Sequence, residues 1–554
     1  MSRRQPPVSH PAKAPTSLHP VLVPDLLLAG DAVREDRPAL RCGNAVHSYG
    51  ELTEVVRSAA AGLLALGLGN GDRVAVYLPK TIECVCALFA TALAGGVFVP
   101  VNPVLKSAQV GHILKDSGAR ILVTSRSRLA TLKGDMPHFP HLEYVVLVDA
   151  ADGSASSMRP AVLGWQALCT GTTSTPGEPR SADDLAALFY TSGSTGLPKG
   201  VMLSHRNIVA GAMSVVEYLG NDAEDRLLAV LPISFDAGFS QLTTGFLAGA
   251  EVTLLDYLLP RDVVRTIAAN RITGITAVPP LWTAVADVDW PAEAGRSVRY
   301  FASTGGAMPR GVLAKLRRAM PSAAPFLMYG LTEAFRSTYL PPAEVDRRPG
   351  SIGKAIPGAE ILVLRPDGTV CDAGEPGELV HRGPTVALGY WNAPELGAER
   401  FRAVTSPPGR TPASGAEREV WSGDIVVRDE DGFLYFRGRR DEMLKSSGYR
   451  ISPTEVEEQI LASGLAREAV AIGIPDERLG EVVMVLGVPR EESAGDTAAL
   501  LAYCREHMPL YMIPARVEWR ASLPRNPNGK YDRPLLRAEV LARPVQAPAP
   551  AESA

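Results

Sequence analysis

The sequence predicts an α/β protein of two domains, a large N-terminal one built of α/β layers plus a β-rich subdomain, and a small C-terminal α/β one. Helix-then-strand units repeat through the first half of the chain, the pattern of a parallel layered sheet. From Pro357 to Tyr435 short alternating strands take over, broken by turns such as Pro366-Asp367-Gly368 and Glu375-Pro376-Gly377. Residues 450 to 535 then form a patterned unit the size of an independent small domain. At 554 residues the chain exceeds what one core supports, and a hydrophobic content of 46% permits more than one. The expected organisation is an unordered N-terminus over 1–20, the large domain over 21–440, the small domain over 441–537 and an unordered Pro/Ala tail over 538–554.

Taken in order, two helical patterns around a polar turn run from Pro24 to Leu68, the second starting at Leu52. The cluster Gly67-Leu68-Gly69-Asn70-Gly71 follows a helix instead of opening one, so it reads as a cap and turn before the strand Arg73–Leu78, not as a dinucleotide fingerprint. The run Cys84–Val101 is broken by Gly95-Gly96 and Pro100 and divides into an apolar helix and a strand, which argues against a membrane span. Strands follow at Ala119–Thr124 and Tyr144–Val148, and residues 150 to 183, rich in Gly, Ser, Thr and Pro, read as a surface excursion. In the small domain the pattern gives helix Thr454–Leu461, strands Ala469–Ile474 and Val482–Val488, and helix Thr497–His507.

The stretch Tyr190-Thr191-Ser192-Gly193-Ser194-Thr195-Gly196-Leu197-Pro198-Lys199-Gly200 has the composition of a phosphate loop. Glycines admit close backbone approach, the hydroxyls can donate to phosphate oxygens, and Lys199 adds a mobile positive charge. Apolar runs Leu185–Tyr190 and Val201–His205 flank it as strands, with a helix over Asn207–Leu219. Pro198 before the lysine and Gly200 after it do not fit a Walker A loop, which needs Lys-Ser/Thr running into a helix.

Asp236 sits among Phe235, Ala237, Gly238 and Phe239, where a carboxylate is costly unless it caps the helix or meets a cation. Strand Gly274–Val278 meets Pro279-Pro280, whose fixed backbone suits a pocket wall. Tyr300-Phe301-Ala302-Ser303-Thr304-Gly305-Gly306-Ala307 is a strand ending in small residues against which a flat ring can lie. Met328-Tyr329-Gly330-Leu331-Thr332-Glu333 offers an aromatic face, a hydroxyl and a hard oxygen ligand for Mg2+. Arg336 either makes a two-pronged contact with a substrate carboxylate or is satisfied by a protein carboxylate such as Asp236.

A net charge of -4 and a pI near 6.2 give no global attraction to nucleic acid or to an anionic membrane, and neither is expected as a partner. The six cysteines lack metal-site spacing and read as buried reduced thiols. The N-terminal stretch is basic and proline-rich without an apolar core, which points to a cytoplasmic protein and not a secreted one.

Together with Trp421-Ser422-Gly423-Asp424, the charged connector Arg437–Tyr449 and the turn Leu523–Lys530, these segments fall in the order found in the adenylate-forming superfamily, which the chain resembles over almost its whole length. That superfamily contains acyl-CoA synthetases, luciferases and the adenylation domains of nonribosomal peptide synthetases. The resemblance implies an AMP-forming ligase with ATP and Mg2+ as cofactors and a mobile small domain. It implies catalytic roles for Lys530, Glu333 and Thr191, with Glu333 also the metal ligand. Nucleotide contacts would come from Thr191, Ser192, Gly193, Ser194, Thr195, Gly196, Lys199, Gly305, Gly306, Ala307, Tyr329, Thr332, Asp424 and Arg439.

The substrate pocket would include Phe235, Asp236, Ser240, Thr304, Met328, Arg336 and Ser337, and Asp441 would be the hinge. Phe235-Asp236 is similar to the pair that receives a substrate ammonium in amino-acid adenylation domains. The implied substrate is therefore a small carboxylic acid, foremost an amino acid, loaded on a separate acyl or peptidyl carrier protein, because no carrier domain follows Lys530. The chain is also similar to acyl-CoA ligases associated with exosortase loci, so the alternative is an AMP-forming ligase that joins a non-amino acid to coenzyme A. A non-catalytic ATP-binding protein is the third reading, and retention of Lys199, Glu333, Asp424, Arg439 and Lys530 argues against it.

Overall fold

The computed structural model describes residues 20–30, 32–132, 139–150, 160–170, 180–192, 198–291, 293–404, 418–440, 444–446, 449–476, 480–490, 495–508, 510–526 and 529–542. Two compact units are present: Met1–Ile361 with Val380–Ser422, and Leu362–Leu379 with Gly423–Ala554.

The first unit contains two sheets. In one, parallel strands Arg226–Ala229, Glu251–Leu254, Gly274–Ala277, Tyr300–Ser303 and Ala324–Tyr329 lie side by side, and the antiparallel strands Thr338–Leu340 and Ser351–Ala355 extend one edge. In the other, the hairpin of Leu185–Ser192 and Pro198–Ser204 is followed by parallel strands Val97–Pro100, Arg73–Tyr77, Ile121–Thr124, Tyr144–Leu147 and Ala161–Gly164. Both faces of such sheets are covered by helices, which is why their strands are apolar without alternation.

Helix Asp236–Ala248 joins the two layers. On one side Phe239 packs on Phe98 and Phe189, with ring centroids 5.1 and 5.8 Å apart, and Phe246 packs on Phe89 at 5.4 Å. Burying each such ring is worth roughly 1.5–3 kcal/mol. On the other side buried Gln241 accepts from Leu231 N and donates to the carbonyls of Leu228 and Thr276, tying the helix to the first sheet. The N-terminal turn of this helix is thereby fixed, and Asp236 is its first residue.

The second unit contains a sheet in which Ala466–Asp476 and Gly480–Pro489 pair antiparallel, with Arg516–Trp519 alongside in parallel. Helices Pro453–Ala462 and Thr497–His507 supply Val456, Ile460, Leu500 and Cys504 to its core. The strands Arg418–Arg428 and Leu434–Arg439 pair antiparallel, placing Asp424 opposite Arg439.

Several expectations are corrected. The first helical pattern gives only Asp25–Leu28 and Ala32–Glu35, and a hairpin of Pro38–Cys42 and Ala45–Ser48 turns at Gly43-Asn44 before helix Tyr49–Ala65 begins, a Gly-Asn turn that helical periodicity hides. The excursion over 150–183 contains the edge strand Ala161–Gly164 and helix Trp165–Cys169, because the parallel sheet accepts one more short apolar strand. Pro279-Pro280 opens helix Pro279–Ala286, where a missing N–H costs nothing. Helix Arg533–Leu541 occupies the start of the stretch expected to be unordered, burying Leu536 and Val540. All six cysteines are unpaired, but only Cys84, Cys86, Cys371 and Cys504 are buried, while Cys42 and Cys169 are half-buried. Among the described residues no helix is long and apolar enough to cross a membrane.

Candidate functional site

The hairpin register sets Thr191 opposite Lys199 and Ser192 opposite Pro198, so the expected phosphate loop is the hairpin's connection. Gly193, Ser194, Thr195 and Gly196 lie outside the described residues. Strand Gly389–Tyr390 adds to the hairpin with Tyr390 opposite Val201. There the Lys199 ammonium lies 5.9 Å from the Tyr390 ring centroid, and the Tyr390 hydroxyl donates to Glu333 Oε1 at 2.7 Å. Ala387 N donates to the Glu333 carbonyl at 2.9 Å, fixing its backbone as well. Burial, with Arg400 nearby, pushes the Lys199 ammonium below its ordinary range, while Glu333 opposes that shift. Cation, phenol and carboxylate thus meet beside the loop.

Glu333 belongs to the short turn Thr332–Ala334, which ends at Phe335 with φ 56 and ψ -47, a γ-turn closed by Arg336 N donating to the Ala334 carbonyl at 2.5 Å. This conformation is strained for a residue bearing a side chain. It is held because the Phe335 ring is fully buried, in a space that exists only because position 211 is glycine: a Cβ there would stand 2.3 Å from Phe335 Cδ1. The turn swings Arg336 inward. Its Nη1 donates to Asp236 Oδ2 at 2.9 Å and to the Phe335 carbonyl at 3.0 Å, and Thr332 Oγ1 donates to Asp236 Oδ1 at 2.9 Å.

Both oxygens of Asp236 are therefore occupied by the protein. Of the open alternatives, helix capping is not found, since Phe235 is the cap residue and no side chain caps this helix. The ion pair with Arg336 is found instead. Thr332, expected on phosphate, here serves Asp236.

Arg336, Met328, Ser240 and Ala237 line one cavity of about 20 Å³, together with Tyr218 and Thr244. Phe235, Asp236, Thr304 and Ser337 lie outside that lining. Thr304 is buried with its N–H on the Ala277 carbonyl, and the Ser337 hydroxyl is 3.0 Å from His381 Nδ1. Nε2 of that imidazole is 2.9 Å from Thr385 Oγ1, and burial pushes its pKa down to about 3.

Tyr218 and Thr244 escaped the sequence reading, although a polar stripe of Ser240, Gln241 and Thr244 on an otherwise apolar helix is a readable signal of a lined cavity. Tyr390 escaped it too, for its link to Glu333 spans 57 positions and leaves no local trace.

Ser303 ends its strand buried, and Gly305, Gly306 and Ala307 are exposed beyond it, with Gly305 at φ 82, a backbone state that favours glycine. Tyr329 ends the neighbouring strand Ala324–Tyr329 and is half-buried. In the second unit buried Asp424 pairs with Arg439 at 3.2 Å. Lys530 is exposed on a tight turn: its N–H donates to Asn526 Oδ1 at 3.1 Å and its carbonyl accepts from Asn526 N at 2.8 Å. Asp441 lies outside the described residues.

The sequence profile of the AMP-binding enzyme family matches residues 29–391, and that of the AMP-binding enzyme C-terminal domain matches residues 455–530. The chain belongs to the AMP-binding enzyme family. It is similar to a long-chain-fatty-acid–CoA ligase of Salmonella typhimurium, 30% identical across 96% of this chain and 97% of that protein. It is also 31% identical to part of a linear gramicidin synthase of Brevibacillus parabrevis, across 89% of this chain but 6% of that protein. Among solved structures, o-succinylbenzoate coenzyme A synthetase from Bacillus subtilis in complex with ATP and magnesium ion superposes with a TM-score of 0.77 at 27% identity, covering 92% of this chain and 99% of the other.

As a member of this adenylate-forming family the protein is an AMP-forming ligase that uses ATP and Mg2+. The residues present fit the metal: Mg2+ is habitually held by one or two carboxylates plus phosphate oxygens, and Glu333 offers one carboxylate beside the loop.

Proposed function

We propose that the protein joins a non-amino carboxylic acid to coenzyme A through an acyl-adenylate. The observation that carries this reading is the occupancy of Asp236. The carboxylate that would receive a substrate ammonium already accepts from Arg336 and Thr332, so an amine brought to it must displace a guanidinium or add a second cation. Similarity across nearly the whole of a fatty-acid–CoA ligase supports the same choice. This replaces the amino-acid and carrier-protein expectation with its alternative.

In the first half-reaction a carboxylate oxygen attacks the α-phosphorus of ATP, the bond to the β-phosphate breaks, and pyrophosphate leaves. In the second the thiol attacks the acyl carbonyl and AMP departs. Little covalent chemistry falls to the protein, so positioning and charge neutralisation carry the rate. Thr191, Ser192 and Lys199, with Gly193, Ser194, Thr195 and Gly196 of the loop, hold the departing phosphates. Tyr329, Gly305, Gly306 and Ala307 face adenine, Asp424 and Arg439 the ribose, and Lys530 the carboxylate and α-phosphate oxygens. Glu333 would hold Mg2+, which would neutralise charge on the phosphates. The resemblance assigns Asp441 the hinge role between the two half-reactions.

The test is product analysis after incubation with ATP, Mg2+ and a panel of acids, with either coenzyme A or a phosphopantetheinylated carrier protein as acceptor. An acyl-CoA thioester from a non-amino acid is expected. Thioester formed only on the carrier, and only from amino acids, would refute the reading.

A further inference from the structure

Two residues that line the cavity each carry a buried polar atom with no hydrogen-bond partner among the described residues: Arg336 Nε and Thr244 Oγ1. Both residues are only 3% exposed. Buried donors left unpaired are costly, and two around one cavity call for an occupant. At about 20 Å³ the cavity has room for roughly one water, so one oxygen atom there can accept from Nε and bond the Thr244 hydroxyl.

Arg336 is the one charged residue in the lining, and Asp236 already balances it. An ammonium placed here would face a guanidinium, and a second carboxylate would come close to Asp236, so neither charge finds an uncommitted counter-ion. Buried Leu219, Leu227 and Tyr300 belong to the same lining, and about 20 Å³ leaves no room for a long alkyl tail.

Resting on the ligase reading above, we propose that the acid activated is short and carries on its tail one uncharged oxygen, a hydroxyl or a carbonyl, bound by Arg336 Nε and Thr244. This separates the protein from its fatty-acid relative by pocket chemistry at the same fold.

The experiment is acid-dependent ATP–pyrophosphate exchange with β-hydroxybutyrate, butyrate, β-aminobutyrate, succinate and palmitate. The expected result is a kcat/KM for β-hydroxybutyrate about tenfold or more above that for butyrate, the scale of one hydrogen bond to a charged donor, with the other three lower still. In Arg336→Met that ratio should fall to about one while the KM for ATP holds. The double variant Asp236→Asn/Arg336→Met, which leaves no unpaired buried carboxylate, guards against misfolding, and an ATP-induced rise in Tm checks it. Preference for butyrate, palmitate, β-aminobutyrate or succinate would overturn the proposal, as would a preference unchanged in both variants. No exchange with any of the five acids would overturn the proposal as well, whereas thioester formed only on the carrier and only from amino acids would overturn the ligase reading beneath it.

Discussion

Replacing Tyr390 by phenylalanine removes the hydroxyl that donates to Glu333 and keeps the ring. The ring is 7% exposed and packs edge-on against Phe401 at 5.3 Å, contacts that phenylalanine keeps, as it keeps the face toward Lys199. What disappears is the 2.7 Å hydrogen bond to Glu333 Oε1. A hydrogen bond to a charged group contributes roughly 1.5–3 kcal/mol. Glu333 is only half-buried and water can replace the phenol in part, so about 1–2 kcal/mol is expected, or roughly 5- to 30-fold in kcat/KM.

If Tyr390 orients the carboxylate that holds Mg2+, this loss falls on MgATP. Pyrophosphate exchange measured across Mg2+ and ATP concentrations should give a raised requirement for MgATP, an unchanged KM for the acid, and a Tm within a few degrees of the parent. A kcat/KM for MgATP within about twofold of the parent would refute the orienting role. So would a loss that fell equally on the acid.

Lys530→Ala should abolish adenylation while leaving ATP binding by calorimetry intact, and full retained activity would remove the residue from the mechanism. Gly211→Ala should destabilise by about 1–3 kcal/mol, because the new Cβ meets Phe335 Cδ1 at 2.3 Å, and denaturant midpoints will read it. Stability should fall with pH below about 6.5. Burial holds His381 and His205 neutral, with pKa values pushed down to about 3 and about 4, so the unfolded chain takes up protons that the fold refuses. The contribution is complete above the ordinary histidine value and drains away as pH falls toward the folded values, at up to about 1.4 kcal/mol per pH unit for each group. Melts at pH 6.5 and 4.5 should differ less in His381→Gln than in the parent, and an equal difference would refute the assignment.

The strand Arg73–Tyr77, the helix Thr497–His507 and the hairpin around the phosphate loop were readable from local pattern, since periodicity and turn residues act over a few positions. The edge strand Ala161–Gly164 was not, because a four-residue strand exists only by pairing with Tyr144–Leu147. The ordered motifs also determined the family.

Chain proximity alone could not decide the state of Asp236. The sequence leaves a carboxylate with three open fates: capping a helix, receiving an ammonium or meeting a guanidinium. Arg336 stands 100 positions away, and only the strained turn at Phe335, seated in the space left by Gly211, brings the two to 2.9 Å. Local sequence encodes which groups are present. Which of them neutralise one another depends on distance, and distances between residues so far apart are set by packing.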